Sequence, residues 1–237
     1  MSTDYNKTTA FHYAAYRPML HEPILLSCLG KRKFNHGLDI GCGTGVSSIA
    51  LGNFCTNVIG VDPNEKMLSQ AVPADSLNYQ IMVGNRLPFA NNSFDICTYA
   101  GAWWYGKSQK LLDETLRVST KNGTILLYDL QLDLSTVYNR MDLVPADLKG
   151  YDHSSNFEGL DTAEIITTSK KIDRKQLLLS PSQLAHLLCS EQQIYQQLVL
   201  RFSNDDTFEH LVQYIITCFG KFNIPVTAIT YYTMYKL

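Results

Sequence analysis

Gly41, Gly43 and Gly45 stand at alternate positions between an apolar run, residues 37–40, and a helix-like run that opens at Val46. Such a turn lets the backbone bend sharply and leaves no side chain between it and a ligand. The N–H groups of the following helix add partial positive charge at the same place. Asp39 closes the run before the turn, and Asp62 closes the next strand-like run, 21 residues after Gly41. A carboxylate there can accept hydrogen bonds from both hydroxyls of an adenosine ribose. A dinucleotide fingerprint, G-x-G-x-x-G, needs glycine where this chain has Val46. The pattern is instead D-x-G-x-G-x-G. Asp62 would serve either ligand class and does not decide between them.

Other residues could also do chemistry. Arg17 is the odd charge in an apolar N-terminal segment, and arginine grips carboxylates in bidentate fashion. Trp103, Trp104 and Tyr105 follow a strand-like run. Aromatic faces there suit a cation and a flat or apolar substrate. Of the six histidines, His12 and His153 are placed to reach a substrate, and neither is assigned as a base. The six cysteines form no C-x-x-C pair and no metal-ligand cluster stands out, so no metal is expected.

These residues need a scaffold. Strand-like runs at 37–40, 57–61, 79–83, 94–99 and 124–128 alternate with helix-like runs at 46–54, 64–71 and 108–118. The first of these helices carries Val46, Ile49, Ala50 and Leu51 on one apolar face, and Asn64 caps the second. Strand and helix in alternation give a parallel sheet with helices on both faces. Residues 129–173 carry no clear strand pattern and are expected to form helical cap material. Ser180, Pro181 and Gln183 then open a helix with a capping box. A strand-like run at 194–202, a helix at 206–219 and a strand-like run at 226–235 complete the chain.

The 237 residues suit one domain of moderate size, and 45% hydrophobic residues can fill its core. A net charge of −2 lacks the basic field of a nucleic-acid binder. No apolar run approaches the roughly 20 residues that span a bilayer. The N-terminus has no signal pattern, and the scattered cysteines favour a reducing cytoplasm. A small-molecule substrate, no nucleic acid, no membrane insertion and a monomer or homodimer are therefore expected.

Taken in order, LDIGCGTG, GVDPNEKML, NRLPFANNSFDI and LLDETLRVSTKNGTILL resemble the successive blocks of class I S-adenosylmethionine-dependent methyltransferases. The likeness is to the ubiquinone/menaquinone-type and trans-aconitate-type small-molecule enzymes; AAYRPML resembles the Y-x-R-P segment of the latter. Any one block is weak, and the ordered set covers about the first 130 residues. The resemblance implies a Rossmann-like α/β fold: a seven-stranded, mostly parallel sheet with an antiparallel last strand, helices on both faces and a helical cap. The runs at 194–202 and 226–235 would be the final strand pair. It implies one methyltransferase domain over residues 1–237, with an N-terminal lid at 1–30 and a cap at 129–173 over the active site.

The cofactor implied is S-adenosylmethionine. Gly41, Gly43 and Gly45 would approach its methionine part, Asp39 its ammonium group through water, and Arg17 its carboxylate. Asp62 and Pro63 would meet the ribose. Met67, Gly84, Asn85 and Arg86 would line the adenine, and Ala100 would end the strand beside the methyl group. Tyr13, Tyr16, Trp103, Trp104 and Tyr105 would contact the acceptor. The chain also departs from the pattern. Val83 replaces the acid that relatives place near the adenine amino group, and AGAWWYG lacks the histidine of a common histidine–tryptophan pair. No N/D-P-P-Y run exists, which favours transfer to oxygen or carbon over nitrogen. A nicotinamide-dependent oxidoreductase and a non-catalytic S-adenosylmethionine-binding protein are the alternatives.

Overall fold

The computed structural model describes every residue except 1–8, 10, 13, 14, 17, 147–149, 164 and 203–205. Two of the expected site residues, Tyr13 and Arg17, thus lie outside the described residues. The chain divides into two compact units. The sheet unit comprises Met19–Gln131, Tyr151–Asp173 and Thr230–Leu237, and the helical unit comprises Met1–Pro18, Leu132–Gly150 and Arg174–Ile229.

Seven strands form one sheet: β1 (Phe34–Ile40), β2 (Cys55–Asp62), β3 (Leu77–Ile81), β4 (Phe94–Ala100), β5 (Ser119–Asp133), β6 (Ile166–Leu179) and β7 (Ile224–Lys236). Their order is β3-β2-β1-β4-β5-β7-β6. The β1–β2, β1–β4, β2–β3 and β4–β5 pairs are parallel. β7 is antiparallel to its neighbours. Leu237 bonds to Gly123 and Tyr231 to Gln131, so position falls along β7 as it rises along β5. Likewise Thr168 bonds to Met234 and Ser169 to Tyr232 across β6 and β7. The expected mostly parallel sheet with an antiparallel last strand is the observed one.

The helices are α1 (His21–Leu29), α2 (Val46–Gly52), α3 (Glu65–Leu68), α4 (Trp103–Gly106), α5 (Gln109–Val118), α6 (Ser135–Met141), α7 (Pro181–Ser190), α8 (Gln192–Phe202) and α9 (Thr207–Phe219). Local signals explain several of them. Asn64 accepts from Lys66 and Met67 at the start of α3, Ser108 accepts from Leu111 at the start of α5, and Ser180 with Gln183 closes a complete capping box on α7. The sheet unit is held by Leu38, Ile40, Val61, Cys97, Tyr99, Ile125 and Leu127, with Leu111, Leu112 and Val118 of α5 packed on them. The helical unit has its own core, in which Leu184, Leu188, Ile194, Leu198, Leu211 and Ile215 meet. Each such side chain contributes roughly 1.5–3 kcal/mol by leaving water.

Three expectations are corrected. The run at 194–202 is helix α8, not a strand. It buries Ile194 and Leu198 and leaves Leu200 87% exposed, a spacing of four that suits a helix. The sheet instead takes its seventh strand from residues 166–179, part of which was expected in the helical cap. That strand is exposed along nearly all its length and rich in lysine and arginine, as sheet edges often are. An edge strand of this kind buries too little to show an apolar alternation. Between residues 129 and 173 the described residues contain one helix, α6, and otherwise strand ends and turns.

The third correction concerns α2. It buries Ser47, Ser48, Ala50 and Leu51, while Val46 and Ile49 are exposed. The two serines turn inward because a buried carboxylate awaits them. Cysteines follow the apolar pattern: Cys28, Cys42, Cys55, Cys97 and Cys189 are buried and Cys218 is half-buried. Burial pushes the thiols of Cys28, Cys55, Cys97 and Cys189 up to about 12.

Candidate active site

The carboxyl ends of the parallel strands carry the site. At the first of them, Gly41, Gly43 and Gly45 take φ values of +76°, +55° and +83°. Only glycine adopts this backbone freely. Space demands it as well. A Cβ on Gly41 would lie 2.4 Å from Cβ of Ala102, and one on Gly45 would lie 2.0 Å from Oη of Tyr79. The turn is also stitched to the end of β2. The N–H groups of Gly41 and Cys42 donate to the Val61 carbonyl at 2.7 and 3.1 Å. That of Gly43 donates to Oδ2 of Asp62 at 2.9 Å, and Oδ1 of Asp62 accepts from Asn64 N–H at 2.8 Å.

Asp62 therefore joins the two strand ends while keeping further lone pairs for a ligand. Asp39 is placed differently. It is fully buried, and its Oδ2 accepts from Ser47 at 2.6 Å and Ser48 at 2.7 Å, while Oδ1 accepts from Thr98 at 2.8 Å. Burial raises its carboxyl, and the three hydroxyls oppose that shift. The carboxylate meets no open surface, and it ties the start of α2 to β4.

The other expected cofactor residues gather nearby. Pro63 is exposed beside Asp62, and Met67 is 37% exposed. The Met67 methyl would lie 3.2 Å from a Cβ on Gly43, so it flanks the glycine turn. Gly84, at φ +59°, has open space where a side chain would be. Asn85 is turned toward Ser108, donating to its hydroxyl at 2.9 Å, and Arg86 is exposed. Ala100 ends β4, half-buried.

A small, half-open cavity lies beyond β4 and β5 in the sheet unit. Gly101, Trp103 and Trp104 line it on one side, Asp129, Tyr151 and His153 on another, and Lys170 and Tyr231 from β6 and β7. Its polar centre is Asp129. Oδ2 of Asp129 accepts from Nδ1 of His153 at 2.9 Å and from the Tyr151 hydroxyl at 2.8 Å. Oδ1 accepts from the N–H of Leu130 at 2.7 Å. Burial, and then the Asp129 charge, pushes the Tyr151 hydroxyl far up. Its proton stays on oxygen and serves as a donor.

The aromatic trio after β4 splits. Trp103 is 3% exposed, donates Nε1–H to the Asn156 carbonyl at 3.0 Å and packs between Tyr99 and Phe157. Trp104 is 39% exposed and faces Tyr151 with ring centres 6.0 Å apart. Tyr105 is 79% exposed and lies 5.5 Å from Tyr151. Tyr16 packs into the core of the helical unit. Asp129, Tyr151 and Tyr231 were not among the expected site residues. An acid directly after the strand-like run at 124–128 is the signal that points to Asp129. Nothing local pairs it with His153, 24 positions on.

Residues 38–127 match the family model of a methyltransferase domain. The chain is 33% identical over 100 residues to the methyltransferase YcgJ of Bacillus subtilis, covering 39% of each chain. It is 28% identical over 119 residues to the 18S rRNA (guanine-N(7))-methyltransferase of Bos taurus, 46% of this chain and 42% of that one. The chain thus spans about half or less of the curated relatives it matches. Among solved structures, an Anaeromyxobacter dehalogenans protein described as a type II methyltransferase superposes with a TM-score of 0.67 at 16% identity. That superposition covers 92% of this chain and 97% of the other, and shows the fold. Strand order, glycine turn and the acid ending β2 agree with the matched block: residues 38–127 are similar to a methyltransferase domain.

Proposed function

We propose that the protein transfers a methyl group from S-adenosylmethionine to an oxygen or carbon atom of a small molecule. One observation carries the reading. Gly41, in the glycine turn, lies against Ala102, and the residues on either side of Ala102, Gly101 and Trp103, line the cavity. Cofactor turn and acceptor cavity meet across three consecutive residues.

The residues present fit the cofactor. The positive-φ glycines leave the backbone bare, Asp62 offers a carboxylate for ribose hydroxyls, and Met67 flanks the turn with an apolar face. Gly84, Asn85 and Arg86 would border the adenine. Asp39 acts at one remove by fixing the turn. When bound, the cofactor supplies a methyl group on a positive sulfonium, whose departure as a neutral thioether needs no acid. The chain's own task is to hold a nucleophile in line, an effect worth roughly 7–11 kcal/mol in favourable cases.

The acceptor would lie in the half-open cavity beside Trp103 and Trp104. Residues 151–155 and 170–172, from the segment expected as a cap, supply its far wall. The bovine relative's name concerns RNA, but a chain of net charge −2 gains little from phosphate neutralisation. Titration calorimetry tests the cofactor assignment: Asp62→Ala should weaken S-adenosylmethionine binding about 10- to 100-fold, as expected for lost hydrogen bonds to a charged group. Unchanged affinity would sink it. Tight binding without methylation of any compound in a metabolite screen would favour a binding protein instead.

A further inference from the structure

We propose that His153, oriented by Asp129, is the general base for an aromatic hydroxyl bound in the cavity, so that the acceptor is a phenol. The inference rests on the methyltransferase reading above and adds the class of acceptor.

The geometry fixes the imidazole on three sides. Nδ1 donates to Asp129, which sets the tautomer and leaves the lone pair on Nε2. Among the described residues Nε2 has no hydrogen-bond partner. Tyr231 stacks on the ring at 5.6 Å and 14°, and Tyr151 meets it edge-on at 4.7 Å. The His153 side chain keeps 22% of its surface exposed, and the residue lines the cavity. Asp129 does not reach for substrate itself, because its oxygens already accept from His153, Tyr151 and Leu130. It is a positioning residue.

The charged groups that line the same cavity are Asp129 on β5, Asp152 on its own segment, and Lys170 and Lys171 on β6. Asp152 is occupied by Ser154, which donates to it through N–H at 2.8 Å and Oγ–H at 2.6 Å. Lys171 pairs with Asp173, so strand alternation gives Lys170 the opposite face of β6. Lys170 has no ion-pair partner among the described residues. A cation on the wall favours an acceptor that becomes an anion as it reacts.

The acceptor class follows from what such a base can do. A carbon nucleophile has no hydroxyl proton to give. An amine attacks through a free lone pair and sheds its proton afterwards. A hydroxyl gains most from losing its proton during attack. Phenols titrate at about 10 and water at about 15.7, so an imidazole can draw the proton of the first far more readily than that of an alcohol resembling the second. Trp104, Tyr151 and Tyr231 offer aromatic faces that suit a flat ring. In the step, the phenol O–H bond breaks with its proton passing to Nε2 of His153. The oxygen–methyl bond forms as the sulfur–methyl bond breaks, its electron pair going to sulfur, and the imidazolium later releases the proton to water.

4-Nitrophenol tests this without cofactor, in the full chain, at a pH below the phenol's own midpoint in water. Binding should generate the yellow nitrophenolate, while 15N-histidine spectra show His153 gaining a proton. His153→Gln should bind the phenol without the colour. Asp129→Asn should shift the imidazole tautomer and weaken the colour. With S-adenosylmethionine added, His153→Gln should lower turnover of the same phenol roughly 10²- to 10⁴-fold. Its cofactor affinity by calorimetry should not change. No binding at millimolar phenol, a bound phenol that stays colourless, or colour that persists in His153→Gln overturns the proposal. Loss of cofactor binding in the unaltered chain would overturn the methyltransferase reading instead, so the two failures are distinct.

Discussion

At Gly45 a methyl group has nowhere to go: its Cβ would sit 2.0 Å from the Tyr79 hydroxyl and 2.5 Å from the ring carbon bearing it. The backbone there is also left-handed, at φ +83°. Gly45→Ala should therefore cost about 2–5 kcal/mol from strain and clash together, read by urea denaturation. Gly84→Ala is the control, with a similar φ of +59° but open space around it. It should cost only the backbone part, about 1–2 kcal/mol. If the two variants lose equal stability, the close packing of Tyr79 is not what requires glycine. The glycine spacing was legible in the sequence because a turn writes itself in consecutive residues. Tyr79 was not, because it reaches the turn from β3. Asp129 and its pairing with His153 escaped for the same reason: the fold, not the chain, makes them neighbours.

Elements were legible where they bury a periodic face. α5 shows this: its spacing puts Leu111, Leu112, Thr115 and Leu116 in one apolar stripe, of which the first three are buried and Leu116 is half-buried. α8 was misread because short apolar runs fit both periods, and burial at Ile194 and Leu198 decides for helix. β6 was hidden because its polar side chains carry no alternation. α5 also bears an ion pair with a measurable consequence. Arg117 donates to both oxygens of Glu114, at 2.7 and 2.8 Å, and to the carbonyls of Leu87 and Phe89. Glu114 in turn accepts from the N–H of Leu87, so the pair fastens the LPF segment to the helix. The Arg117 hydrogen bonds hold the Glu114 carboxyl down at about 2, against an ordinary 4.5. The folded chain thus binds this proton more weakly than the unfolded chain. Its stabilisation is complete above pH 4.5 and is lost as pH falls toward about 2. Glu114→Gln should flatten that part of the stability-versus-pH curve in thermal melts. A slope unchanged by the substitution would show that the pair is not linked to folding.

For the whole molecule, the family blocks and most of the expected site residues lie in the sheet unit, which ends and resumes at strands β5, β6 and β7. The helical unit carries none of the matched residues 38–127. That explains how the two regions differed in legibility: the glycine turn and the acid ending β2 lie in the matched block, while the cavity wall from residues 151–155 and 170–172 and the helical unit lie outside it. Among the described residues no helix is long and apolar enough to cross a membrane.

The buried thiols turn this division into something a chemist can time. Alkylation needs a thiolate in contact with reagent. Cys28, Cys42, Cys55 and Cys97 sit in the sheet unit and Cys189 in the helical unit, all buried, whereas Cys218 is half-buried. A maleimide should modify Cys218 within the native protein and leave the other five to wait for local or global opening. Mass spectrometry of quenched samples would then read two clocks at once: Cys189 for one unit, and the other four for the unit expected to close on the cofactor. Adding S-adenosylmethionine should slow the four and leave Cys189 at its own pace if the units open independently. Slowing of all five alike would show that the chain opens as one.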